Sequence, residues 1–126
     1  MEVRWVDRIA NIHGVVSALI VDLDGLVMAH AGSTSDIAAA HSSLFIKRLV
    51  DKIGIDTMEE WEWTQCETEN MIIAFSNVKV GVLVVMMGQD VNLSLVRIEA
   101  DSIRRSLKEK FQQPFGNQDL SKLEEL

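Results

Sequence analysis

Apolar and polar positions along the chain change period several times, and each change marks an element. Val3, Val6, Ile9 and Ala10, with Trp5 and Ile12, follow the spacing of a short amphipathic helix that stops before Gly14. Two strand-length runs follow, Val15 to Val21 and Leu26 to Ala31, joined by a two-residue acidic turn in which Asp24-Gly25 supplies positive φ. The first run is apolar on both faces, as a central strand covered on both sides must be. Ser33-Thr34-Ser35-Asp36 offers N-caps for a long helix from Asp36 to Ile53, which Gly54 ends. Met58 to Glu67 alternates, with Trp61 and Trp63 predicted on one face and Glu60, Glu62, Thr64 and Cys66 on the other, the pattern of a half-exposed edge strand. Met71, Ile73 and Phe75 lead another strand, and Lys79 to Met87 is a second strand apolar on both faces. Asn92 caps a last helix with the stripe Leu93, Val96, Ala100, Ile103, Leu107 and Phe111. The order α-β-β-α-β-β-β-α, mostly hairpin-connected, predicts an α+β fold with a five-stranded antiparallel sheet flanked by helices.

The length of 126 residues supports one hydrophobic core, so residues 1–111 are read as one domain and 112–126 as a polar C-terminal tail. No apolar run is long enough to span a bilayer, and no apolar block follows the first residues as in a signal peptide, so no membrane insertion is expected. The single cysteine, Cys66, excludes an internal disulfide, and the expected location is cytoplasmic. A net charge of −7 with no uninterrupted basic run argues against nucleic-acid binding. Arg104, Arg105, Lys108 and Lys110 cluster late in a helix, where cations complement the dipole.

Leu-Ile-Val-Asp-Leu-Asp-Gly, residues 19–25, resembles the nucleophile loop of a Mg²⁺-dependent phosphoaspartate phosphatase. Asp22 and Asp24 have the nucleophile and acid/base spacing. Leu26 stands where that family usually has threonine, no Asp-Asp pair follows at a later strand end, and the chain is too short for the crossover helices of a parallel sheet. The two carboxylates are therefore read as turn residues. His13, His30 and His41 lack the spacing of a helical metal site, and Ser42 and Ser43 lack the setting of a nucleophile. Cys66, beside Glu67 and Glu69, is read as an ordinary strand cysteine. No catalytic, cofactor-binding or metal site is expected, and the protein is not read as an enzyme.

The long helix carries a surplus of apolar positions. Ala38, Ala39, Phe45, Ile46, Leu49, Val50 and Ile53 form one broad face suited to a sheet. Ile37, Ala40 and Leu44 recur at i, i+3, i+7 on the opposite face, among His41, Lys47, Arg48 and Asp51, and predict a seam for a second helix. An edge strand bearing Trp61 and Trp63 invites pairing with its own copy, since a twofold interface sets one patch against itself. Glu59, Glu60 and Glu62 oppose such pairing wherever they would face one another.

Ile12-His13-Gly14-Val15, the hairpin Val21-Asp22-Leu23-Asp24-Gly25-Leu26-Val27, the alanine-rich second helix and Asn92-Leu93-Ser94-Leu95-Val96-Arg97 together resemble the Roadblock/dynein light-chain family over residues 5–111. Ser94 departs from the glycine common in the last motif. The resemblance implies a homodimer joined through the second helix and third strand into a ten-stranded sheet. It further implies a Ras-like small GTPase as partner, as in many relatives, or alternatively a scaffold subunit with no effect on nucleotide turnover. The residues assigned to the partner or dimer interface are Ile37, Ala40, His41, Leu44, Lys47, Arg48, Asp51, Trp61 and Trp63.

Overall fold

The structure, a computed structural model, describes residues 4–33, 36–54, 57, 60–79 and 81–111, with the backbone alone at 36, 37 and 108–111. Its elements are α1 (Trp5–Ala10), β1 (Val15–Val21), β2 (Val27–Gly32), α2 (Asp36–Ile53), β3 (Trp63–Glu67), β4 (Ile72–Asn77), β5 (Val82–Met87) and α3 (Leu93–Phe111). The strands form one sheet in the order β2-β1-β5-β4-β3, and every neighbouring pair is antiparallel. The α+β class and the element order are those the periodicity predicts. Among the described residues no parallel strand pair of the kind a phosphoaspartate enzyme would need is formed. The α2 cap candidates Thr34 and Ser35, Val3, and the tail 112–126 lie outside the described residues.

β1 and β5 are the buried centre. Their alternating side chains supply two cores, one on each face of the sheet. Ala18, Ile20, Leu83, Val85 and Met87 join Val6 and Ile9 of α1 and Val96, Ala100, Ile103 and Leu107 of α3. Leu19, Val21, Val82 and Val84 meet Ile46 and Val50 of α2 on the other face. At about 25 cal/mol per Å² of apolar surface removed from water, these double-sided strands are the main stabilising element. The Asn92 side chain accepts a bond from the Leu95 N–H at 3.2 Å, the N-cap expected for α3.

Two sequence motifs meet in space. The Gly88 N–H donates to the Gly14 carbonyl at 2.8 Å, tying the turn after α1 to the turn before α3. Gly14 has φ +92°, and a Cβ there would stand 2.8 Å from the Val91 Cα. Only glycine meets both demands.

The β1–β2 connection is longer than the expected two-residue turn. It runs from Asp22 to Leu26, because the Asp22 carboxylate organises it: one oxygen accepts the N–H groups of Asp24 and Leu26, each at 2.9 Å. Gly25 supplies positive φ within it, at +90°.

Candidate partner surface on α2 and the β3 edge

β3 begins five residues later than the alternation from Met58 predicts. Met58 itself lies outside the described residues, and Thr57 and Glu60 are helical. The Asn77 side-chain amide donates to the Trp61 carbonyl at 3.0 Å, and the Asn77 N–H donates to the Glu62 carbonyl at 3.1 Å. Trp61 is thereby held outside the strand, and the two tryptophans part. Trp61 packs against the α2-side core, whereas Trp63 packs against the α1/α3-side core, with the Arg97 guanidinium 5.3 Å from its ring centroid. The expectation that they share one face is corrected here. Strand alternation applies only within the strand, and Trp61 precedes it.

Ile46 and Val50 seat α2 on Leu19 and Val21 of β1 and Val82 and Val84 of β5. The apolar face of the helix is only partly covered toward β4 and β3. Phe45 and Ile53, expected to face the sheet, remain 47% and 40% exposed. Between the helix and β3 lies a trough of about 340 Å³ lined by Phe45, Leu49, Ile53, Trp61, Cys66 and Phe75, among others. Phe45 and Phe75 pack across it with ring centroids 5.1 Å apart. A second hollow of about 290 Å³, between Ala38 and Met86, continues it along β4.

The outward side of α2 carries Ala40, His41, Leu44, Lys47, Arg48 and Asp51, all exposed, with Leu44 at 46%. Lys47 and Ser43 stand beside Gly25, so that flank of the helix meets the β1–β2 loop. The Ile37 side chain is not among those described. The structure thus brings Ala40, His41, Leu44, Arg48 and Asp51 together on one outward face. It sets Trp61 in the adjoining trough and Trp63 on the opposite side of the sheet.

β3 is a sheet edge, and Thr64 through Glu67 are exposed. No proline interrupts it. Such an edge presents unpaired backbone donors and acceptors to any strand that approaches. Glu62 and Glu60 precede the strand, and Glu62 pairs instead with Arg104 at 3.1 Å. The like-charge obstacle read from the sequence is therefore largely outside the edge itself.

Sequence reasoning missed the trough: Phe45, Ile53, Phe75 and Cys66 were not among the residues assigned to the interface. The available signal was the width of the apolar arc on α2, which exceeds what one helix buries on a flat sheet. Among the described residues no group of three or more His, Cys, Asp or Glu side chains could hold a metal ion. No helix there is long and apolar enough to cross a membrane.

A Roadblock/LC7 domain family model matches residues 3–87. The chain belongs to the Roadblock/LC7 family. Among solved structures it is similar to Myxococcus xanthus MglB, with a TM-score of 0.71 and 22% identity over 86% of this chain and 92% of that one. It is also similar to a Roadblock/LC7 domain from Streptomyces avermitilis, with a TM-score of 0.67 and 18% identity, covering 90% of this chain and all of that one. An MglB in a tetrameric arrangement gives a TM-score of 0.67 and 14% identity over 83% of each chain. Comparison with curated proteins gives no match. At these identities the structural likeness establishes the fold, and the family model establishes the membership.

Proposed function

We propose that this Roadblock/LC7 protein is a cytosolic homodimer, itself without catalytic activity, that binds and regulates a Ras-like small GTPase. The observation that carries the reading is the continuity of three exposed features on one side of the molecule. These are the Leu44-centred face of α2, the apolar trough beside it and the open edge of β3. A second copy meeting this surface about a twofold axis covers the trough and extends the sheet. In an antiparallel register centred on Gln65, Glu67 lies opposite Trp63 of the partner subunit rather than opposite its own copy.

The paired α2 helices then present His41, Lys47, Arg48 and Asp51 as a polar platform around the seam. Family membership supports a small GTPase as the occupant of that platform. In this reading regulation proceeds by reshaping the GTPase switch loops, with Arg48 the candidate for a transition-state cation.

Co-purification from the native source, followed by single-turnover GTP hydrolysis by the captured GTPase with and without this protein, tests the proposal. The expected result is a changed hydrolysis rate. Unchanged turnover within a stable complex would favour the scaffold reading, and absence of any GTPase would remove the proposal. Loss of the rate effect in Arg48→Ala would identify an arginine finger; retention identifies switch-loop reshaping.

A further inference from the structure

The opposite side of the sheet has its own unfilled groove, between α3 and the β3–β4 half. It encloses about 410 Å³ and is lined by Trp63, Arg97, Ile98, Asp101 and Arg104, with Glu62 at its rim. Ile98 is 61% exposed, an unusually open position for a branched apolar side chain beside a half-buried tryptophan. The charges are unevenly matched. Arg104 pairs with Glu62 at 3.1 Å, and Arg105 pairs with Asp101 at 3.3 Å. Arg97 lies over the Trp63 ring and has no carboxylate partner among the described residues. Lys79 lines the adjoining hollow with Arg104, Arg105, Glu62 and Asp101, and is a further cation outside the two ion pairs just named. A ligand that fits would offer apolar side chains along one side and carboxylates along the other.

We propose that this groove is the docking site of the chain's own segment 117–126, folded back along α3. The sequence of that segment matches the groove in both respects. Leu120, Leu123 and Leu126 recur every third residue, and Asp119, Glu124 and Glu125 outnumber the single Lys122. Reach is sufficient. At 1.5 Å per residue, Arg104 lies about 10 Å and Ile98 about 20 Å back along the helix from Phe111. Pro114 and Gly116 are suited to a reversal of direction. Ten residues then cover about 15 Å if helical and up to about 33 Å if extended, which spans the stretch from Arg104 to Ile98. The groove is on the sheet face opposite α2, so the docked segment leaves the proposed GTPase platform open.

Disulfide trapping in the full chain tests this. In a Cys66→Ser background, Ile98→Cys is combined with Leu120→Cys or Leu123→Cys, and the control combines Leu26→Cys, an exposed position of the β1–β2 loop, with Leu123→Cys. Ile98 and Leu26 are exposed, and circular dichroism verifies that each variant retains the fold. Under mild oxidation the groove pair is expected to form an intrachain bridge at least tenfold faster than the control. Adding Arg97→Glu and Arg104→Glu is expected to slow it toward the control rate. Equal rates for groove and control pairs, a bridge formed only between two copies, or insensitivity to the charge reversals would each overturn the proposal. Because α2 is untouched in the groove variants, this result is independent of whether a GTPase binds.

Discussion

Asn77 and Trp61, sixteen residues apart, are joined by a 3.0 Å hydrogen bond from the Asn77 side-chain amide to the Trp61 carbonyl. The Asn77 carboxamide oxygen also accepts the Lys79 N–H at 2.9 Å, which holds Lys79 at φ +76°. One buried side chain thus sets both the start of β3 and the turn into β5. It also decides which face of the sheet receives the Trp61 indole.

Asn77→Ala is expected to destabilise the fold by about 2 kcal/mol, since two partner groups lose a bond at a part-buried site. Urea unfolding measures the loss. A red-shifted tryptophan emission in the folded state would report release of Trp61 from the trough.

Leu44→Glu is expected to yield monomers in sedimentation velocity while leaving the circular dichroism spectrum unchanged. A half-exposed leucine contributes little to the monomer, whereas a carboxylate buried against its own copy at a twofold seam carries a large desolvation penalty. An undiminished dimer would place the contact elsewhere.

Gly14→Ala combines a left-handed backbone with a Cβ placed 2.8 Å from the Val91 backbone. The backbone strain alone is about 1–2 kcal/mol, and separating the α1 and α3 turns adds to it. A fall in thermal midpoint of several degrees is expected.

Asp22 distinguishes a turn from a nucleophile. Asp22→Ala removes the acceptor of two backbone N–H groups and is expected to cost about 1–3 kcal/mol, while Asp22→Asn keeps the acceptor oxygen and costs less. Phosphatase activity abolished by Asp22→Asn would contradict the reading of the loop.

Ser17 is buried in β1, and its hydroxyl has no hydrogen-bond partner among the described residues. Replacing it by alanine removes an uncompensated polar group without opening a large cavity, so Ser17→Ala is expected to stabilise by up to about 1 kcal/mol. Chemical denaturation of the two proteins side by side checks the sign.

The sequence by itself determined the elements whose cause is local. The 3.6-residue period delimits Asp36–Ile53 and Leu93–Phe111, and strands apolar on both faces identify β1 and β5 as the sheet centre. Together with the hairpin and the Gly14 and Asn92 segments, they carried the family. The tertiary structure decided what depends on distant residues. Where α2 lies across the sheet is set by how Ile46 and Val50 pack on Leu19, Val21, Val82 and Val84, and that offset exposes Phe45 and opens the trough. The separation of Trp61 from Trp63 is set by Asn77, a contact that periodicity within residues 58–67 has no means of expressing. Helical and strand periods record which side of an element is apolar; only packing between elements determines how much of that side is covered.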